Sequence, residues 1–197
     1  QIWSELDVAL QGYQGKIIAV TGTNGKSTCV MMIQHLLSRI GEYSVACGNI
    51  GFTATEARQE RPAPDILVLE VSSYQAATTH LLKADVAVLT NLSQDHIDWH
   101  GNEREYFAAK WLLFQSQRRE QAAFICSKAW SKLVDLGFKK PESTLTLISP
   151  TSSSYHKTES IKEEHNHLNA SFAIESCAKI TGIDRSRLVP LLKDFRG

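Results

Sequence analysis

The stretch KIIAVTGTNGKSTCVMMIQHLLSRI, Lys16 to Ile40, restricts the fold more than any other part of the chain. It opens on a short apolar, β-branched run that reads as a buried strand, and from Cys29 onward apolar residues recur with helical spacing. A strand, a glycine turn and a helix therefore meet here. Glycines let a backbone pass close to a phosphate, while a helix N-terminus offers unpaired N–H groups and the positive end of its dipole. Lys26 adds a mobile cation, and Ser27 or Thr28 can place a hydroxyl on a phosphate-bound Mg²⁺. The general phosphate-loop pattern calls for glycine where Val20 stands, and Gly22 comes two residues later. Gly22, Thr23, Asn24, Gly25, Lys26, Ser27 and Thr28 are accordingly read as a nucleotide phosphate site; the plainer alternative is a glycine-rich turn that binds nothing.

The same design recurs along the chain. YSVACGNIG (Tyr43–Gly51) reads as a strand running into a turn, DILVLEVSS (Asp65–Ser73) and ADVAVLTNLS (Ala84–Ser93) as buried strands ending in polar residues, and AAFICS (Ala122–Ser127) as a further strand. Helical stretches separate them, notably EREYFAAKWLLFQSQ (Glu103–Gln117) and HNHLNASFAIESCAKITG (His165–Gly182), with a short helix from about Asp184. Strands apolar on both faces and alternating with helices predict an α/β fold, a mostly parallel sheet flanked by helices. In such sheets ligands bind beyond the carboxyl ends of the strands, where the polar clusters of this sequence fall. The serine-rich stretch ESTLTLISPTSSSYHKTES (Glu142–Ser160) reads as strand then loop, without chemistry.

At 197 residues the chain can bury a sizeable core. Lys plus Arg equals Asp plus Glu at 21 each, so no global field draws nucleic acid or an anionic membrane, and any anion must be held locally. Cys29, Cys47, Cys126 and Cys177 are far apart, without a C-x-x-C pair, and are expected to be buried reduced thiols. No run approaches the roughly 20 apolar residues of a membrane span, and the N-terminus lacks a signal-peptide pattern. A cytoplasmic monomer is expected. The ends look cut: QIWSELDVAL begins in what reads as the middle of a helix, and LLKDFRG stops just past one.

Several residues stand out chemically. Glu70 lies in an apolar strand, where an unpaired carboxylate is expensive to bury, and a Mg²⁺ ligand or a structural salt bridge would explain it. Ser72 and Ser73 follow, placed to touch metal, water or substrate, or to cap the next helix. TNLSQDHIDWHG packs Asp95, His96, Asp98 and His100 into six residues after a strand end. His96 reads as a metal or phosphate ligand, Asp95 and Asp98 as groups that orient it or cap the helix near Asn102, and His100 as structural. Lys110 shares a helix face with Phe107, Trp111 and Phe114, where burial favours the neutral amine; on its own it reads as a snorkelling lysine. Asn166 and Asn169 project to one side and can offer amide contacts to adenine, although capping is the better reading for Asn166 alone.

Taken together, VTGTNGKST, GNIG, LEVSSYQ, TNLSQDHIDWHG, YFAAKWLLF and HNHLNASFA resemble, in order and spacing, the central ATPase domain of the Mur ligases, over nearly the whole chain from about Gly15. That family's loop, TGTNGK followed by Ser or Thr, lacks the first glycine in the same way. The resemblance implies a P-loop NTPase-like central domain over residues 15–197, with residues 1–14 a remnant of the linker from a missing N-terminal domain and the C-terminal ligase domain absent. It implies ATP and two Mg²⁺ ions as cofactors. Lys26 would hold the β- and γ-phosphates, Ser27 or Thr28 and Glu70 one Mg²⁺, and His96 a second with Lys110, which in this family is carbamylated. Lys26, Glu70, His96 and Lys110 thus become the catalytic candidates. Asn49 and Ser72 would face the substrate, and Asn166 and Asn169 the adenine.

Within the family, GNIG, SSYQ and the paired asparagines are most similar to the branch that joins D-glutamate to UDP-N-acetylmuramoyl-L-alanine through an acyl phosphate, in peptidoglycan precursor synthesis. DHIDWHG and AAKWLLF are also similar to the branch that adds the third residue to the UDP-N-acetylmuramoyl-dipeptide. A non-catalytic nucleotide-binding module and a simple ATPase are the alternatives from other classes. The folylpolyglutamate synthases fit less well, because their glycine-rich version of the SSYQ segment is absent. Without the flanking domains the chain is expected to bind Mg-ATP weakly and to form no amide bond.

Overall fold

A computed structural model describes residues 2–149 and 164–195. Its elements in chain order are α1 (Glu5–Leu10), β1 (Lys16–Thr21), α2 (Lys26–Arg39), β2 (Ser44–Gly48), α3 (Ala54–Arg58), β3 (Ile66–Glu70), α4 (Ser73–Thr78), β4 (Val86–Leu89), α5 (Ile97–His100), α6 (Glu103–Gln115), β5 (Ala122–Cys126), α7 (Ser127–Asp135), β6 (Thr144–Ile148), α8 (Glu164–Thr181), α9 (Arg185–Leu188) and a closing 3-10 turn (Val189–Asp194). The strands form one sheet in the order β2-β3-β1-β4-β5-β6, parallel at every pairing. Each strand read from the sequence is present. The loop read after β6 in the serine-rich stretch lies mostly outside the described residues.

Parallel pairing explains the sequence pattern. β3, β4 and β5 are buried at every position, as strands covered on both faces must be, and edge strand β6 alone among the described strands is mostly accessible. α2 and α8 pack side by side: the Cys29 thiol meets the Asn169 carbonyl at 4.0 Å, and the Cys177 thiol meets that of Ile33 at 3.7 Å. All four cysteines are buried free thiols. Burial pushes Cys29 and Cys177 far above the usual thiol range and Cys47 up to about 12, so none of these three is a ready nucleophile. Among the described residues no helix is long and apolar enough to cross a membrane.

The first helix differs from its expectation. It does not begin midway; it starts at Ser4, which accepts from the Asp7 N–H while the Asp7 carboxylate accepts from the Ser4 N–H, a complete capping box. Leu6, Ala9 and Leu10 enter the core, worth about 2 kcal/mol for each leucine buried. Asp7 also reaches beyond its own helix. Its Oδ1 accepts from Thr79 Oγ1 (2.9 Å) and from the N–H groups of His80 (2.7 Å) and Leu81 (2.8 Å), fastening α1 to the loop after α4. On α3, Arg58 donates to the carbonyls of Ala9 and Gln11.

Burial acting alone would raise the pKa of Asp7, but the N–H groups of His80, Leu81 and Ser4 and the Ser4 hydroxyl hold it well below the usual carboxylate range. A depressed carboxylate stabilises the fold above its unfolded value near 4, and the contribution fades as pH falls through and below that value. Asp7→Asn should therefore cost about 1–3 kcal/mol in urea unfolding at pH 7, and progressively less below pH 4. An equal cost at pH 7 and pH 3 would contradict this account of the carboxylate.

Candidate nucleotide site at the carboxyl end of the sheet

The loop between β1 and α2 is held in place before any ligand arrives. Gly25 adopts the left-handed conformation at the N-cap of α2 and brings no side-chain cap, which leaves the first N–H groups of a 14-residue helix directed outward. The residues that follow β4 brace the loop from the side. Thr90 Oγ1 donates to the Asn24 carbonyl (2.7 Å), and the Asn91 amide donates to that carbonyl (2.7 Å) while accepting from the Asn24 N–H (2.9 Å). Thr23 Oγ1 donates to the Ser93 carbonyl (3.1 Å) and accepts from the Ser93 N–H (3.0 Å). Gly22 is obligatory here, since a Cβ at its φ of 147° would stand 2.0 Å from Thr90 Oγ1. The amide of Asn169 on α8 lies against Gly25, and its Nδ2 is 3.4 Å from Asn166 Oδ1. Asn166 stands inside α8, which begins at Glu164, and is therefore not its cap.

The charged candidates gather around this loop. Lys26 Nζ curls back to the Thr23 carbonyl at 2.9 Å. Glu70 ends β3, pairs in register with Val20 on β1, and is 2% exposed. Its Oε2 accepts from Ser27 Oγ at 2.7 Å and its Oε1 from Asn49 Nδ2 at 2.9 Å. Lys110, also 2% exposed, donates to the Gly22 carbonyl at 2.9 Å and stands 4.7 Å from the centre of the Tyr106 ring. Burial first, and then the neighbouring Lys26 charge, pull Lys110 down from the ordinary 10.5 to about 7, while Asp95 and Glu70 pull the other way. Near neutral pH a substantial share of Lys110 is the free amine.

His96 meets the Tyr106 ring edge-on, with ring centres 6.0 Å apart. It is the one non-glycine residue with positive φ among those described (φ 51°), a conformation costing about 1 kcal/mol or more that clusters at functional sites. Asp95 supports it twice, accepting from the His96 N–H (2.9 Å) and facing Nε2 (3.5 Å). Asp98 sits in the first turn of α5, while Asn102 caps α6 itself by accepting from the Glu105 N–H, so neither aspartate is needed there. His100 Nε2 lies 2.9 Å from Ser73 Oγ and joins α5 to α4. Burial, with His96 and Lys110 nearby, holds His100 below its usual range. Ser72 caps α4 in a full box with Gln75, which engages the hydroxyl that the sequence reading turned toward substrate.

The donor sets allow a test of fit for the implied cations. Ser27 and Glu70 converge as two hard oxygen donors beside the phosphate loop, the kind of partial set that Mg²⁺ completes with phosphate oxygens and water. Among the described residues no three His, Cys, Asp or Glu side chains gather to hold a metal by themselves. His96 and Lys110 offer an imidazole and an amine, and only an anionic form of Lys110 would suit a hard cation. Sequence reading missed the braces Thr90, Asn91 and Ser93, and also Tyr106, whose hydroxyl reaches Thr23 Oγ1 at 3.3 Å. Tyr106 precedes Lys110 by four residues, a spacing that puts both on one helix face.

Comparison with known proteins places this geometry in context. A family model described as the Mur ligase middle domain matches residues 20–183. A UDP-N-acetylmuramoylalanine–D-glutamate ligase of Lactococcus lactis subsp. cremoris is 31% identical over 210 aligned positions, covering 98% of the chain and 46% of the relative. A ligase of the same name from Streptococcus thermophilus is 43% identical over 112 positions, covering 57% and 25% respectively. The chain thus spans about half the length of the curated relative that it matches almost throughout. Among solved structures, a UDP-N-acetylmuramoyl-L-alanyl-D-glutamate–2,6-diaminopimelate ligase superimposes with a TM-score of 0.73 at 21% identity, over 94% of this chain and 47% of that one. A MurF ligase from Thermotoga maritima in complex with ADP gives 0.69 at 16% identity, over 92% and 49%. Likeness at these identities establishes the fold, a parallel α/β sheet flanked by helices.

A lysine whose folded value lies below its unfolded one penalises the fold. The penalty grows as pH falls from about 10.5 toward 7 and is level below that. Lys110→Met should consequently gain stability relative to the parent as pH is lowered from 10 to 7 in denaturant unfolding. A difference that stays flat across this range would show that the amine is not desolvated as described.

Proposed function

Because the chain belongs to the Mur ligase family through its middle domain, we propose that it is the ATP-binding part of a ligase that joins D-glutamate to UDP-N-acetylmuramoyl-L-alanine. The observation that carries the nucleotide half of this reading is the braced loop, with the uncapped N-terminus of α2, Lys26 and the Ser27–Glu70 pair all at its α2 end. The choice of acceptor and amino acid rests on the 31% identity to a D-glutamate ligase across nearly the whole chain. Substrates, activity and a cytoplasmic place of action are proposed on the same footing.

In this reading the β- and γ-phosphates lie on the N–H groups of α2, and Lys26 turns from the Thr23 carbonyl to the phosphate oxygens. The base lies toward Asn166 and Asn169 on α8. A cavity of about 520 Å³, lined by Asn91, Leu92, Cys126, Lys128 and Leu168 among others, adjoins the loop there with room for a nucleoside. Mg²⁺ held by Ser27 and Glu70 would supply charge neutralisation at the phosphates. The acceptor carboxylate oxygen attacks the γ-phosphorus, the bond to the bridging oxygen breaks, and ADP leaves. The D-glutamate amine then attacks the acyl carbon, expelling phosphate and losing a proton.

Two anions must approach one another in the first step, and Lys26 lowers that repulsion as charge builds up. Lys110 is proposed to act as a carbamate. Its neutral amine forms an N–C bond with CO₂ and releases a proton, which converts a neutral group into an anion that would be able to join His96 in holding a second Mg²⁺. The low proton affinity of Lys110 and the contact that both Lys110 and His96 make with the Tyr106 ring support this role.

The test is an assay of the full-length protein with Mg-ATP and UDP-N-acetylmuramoyl-L-alanine, following phosphate release and product mass with D-glutamate, L-lysine or meso-diaminopimelate. Product with D-glutamate alone is expected. Turnover only when the acceptor already carries D-glutamate would move the protein to the next ligation, the reading that DHIDWHG favours. Phosphate release without any acceptor would leave a simple ATPase. Lys110→Ala should abolish ligation while sparing nucleotide affinity, with partial rescue by short-chain carboxylates.

A further inference from the structure

Glu70 is held from two sides, and the second side has no role in the scheme above. Its side chain is buried, with each carboxylate oxygen given a separate partner. Oε2 faces the phosphate loop through Ser27 Oγ, whereas Oε1 is taken by the side-chain amide of Asn49. Asn49 also binds the same residue through the backbone, its N–H donating to the Glu70 carbonyl at 2.9 Å. The preceding residue makes this approach possible. Gly48 has a φ of 99°, and a Cβ there would stand 2.5 Å from the Glu70 carbonyl oxygen, so β2 can close on the end of β3 only with glycine at this position. Gly48 and Asn49 thus form a clamp on both the main chain and the carboxylate of Glu70.

The clamp limits how Glu70 can meet a cation. A carboxylate with both oxygens available can chelate, and Ca²⁺, with six to eight ligands and flexible geometry, readily accepts that mode. Mg²⁺ demands a near-ideal octahedron and commonly takes one or two carboxylates together with phosphate oxygens and water. Both oxygens are hydrogen-bonded, but the partner of Oε2, Ser27 Oγ, is itself a candidate ligand that can turn to the same cation, whereas chelation through Oε1 as well would require the Asn49 amide to give way. Resting on the nucleotide-site reading above, we propose that Asn49 is a specificity-determining positioning residue: it restricts Glu70 to one ligating oxygen and thereby selects a small octahedral cation over Ca²⁺. This differs from the substrate-facing role that the sequence resemblance implies for Asn49, and it explains why the amide points at Glu70.

The test measures binding and does not require ligation. Affinity of the full chain for a fluorescent ADP analogue is titrated against MgCl₂ and, separately, against CaCl₂, and the two half-saturating cation concentrations are compared. In the parent Mg²⁺ should be strongly preferred. Asn49→Leu, which keeps the bulk and removes the amide, should weaken the response to Mg²⁺ and reduce the Mg²⁺-to-Ca²⁺ preference about tenfold, the lower end of what loss of a group supporting a metal ligand typically costs. Asn49→Ala provides the same test if the leucine variant does not fold, and thermal melting without cation identifies which variants are folded. A purely structural role would change the melting midpoint and leave the preference as it was, and an unchanged preference in a folded variant overturns the proposal. A parent whose nucleotide affinity responds to neither cation would remove the underlying nucleotide-site reading as well.

Discussion

Everything at the site depends on a short polar ladder between neighbouring strands. β1 delivers the phosphate loop and β4 delivers Thr90, Asn91 and Ser93, which hold the Thr23 hydroxyl and the Asn24 backbone from the side. A loop that must offer its own N–H groups to an anion cannot use them to hold itself in shape, so the shape has to be imposed from outside. Parallel order β3-β1-β4 makes this possible, because all three strands end at the same edge. Glu70 comes to Ser27 from one neighbour, and the brace comes from the other.

The charges follow from the same placement. Lys26, Lys110 and Glu70 crowd one edge of the sheet, two of them buried, and each finds a polar partner: the Thr23 carbonyl, the Gly22 carbonyl, and the Ser27 and Asn49 side chains. Buried unlike charges of this kind are poor investments in stability. They are reasonable where anionic phosphate and cations are to be held, since the incoming groups complete the electrostatic balance. Lys110 shows how far the arrangement goes: beside a second lysine and inside an apolar helix packing, it keeps its proton only weakly near neutral pH.

The strands were the most legible part of the chain, because β-branched runs such as KIIAV and ILVLE leave little choice, and the glycine loop stood out as the turn between a strand and a helix. The N-terminus was less so: ELDVAL has helical pattern, but the cap that starts it depends on Ser4 and Asp7 facing each other. The candidate site was legible in its charged members: Glu70 and Lys110 stood out as charges in apolar surroundings, Lys26 by its place in the glycine loop, and His96 by the density of the cluster around it. Its neutral members did not stand out. Thr90, Asn91 and Ser93 look like an ordinary polar strand end, and Tyr106 like core, until the sheet brings them against the loop. Asn49 was singled out for its motif, yet whether its amide meets substrate or Glu70 depends on the close approach that Gly48 allows, which periodicity does not reveal.

The central claim is that the loop is already shaped for phosphate, and a crystal structure of the chain with ADP and Mg²⁺ tests it most directly. The account predicts the β-phosphate on the N–H groups at the start of α2, the cation between Ser27 Oγ and Glu70 Oε2, and a loop backbone over Gly22–Lys26 that moves by no more than about 1 Å, as in pre-organised sites. ADP bound elsewhere, or a loop that leaves its Thr90 and Asn91 braces in order to bind, would contradict it.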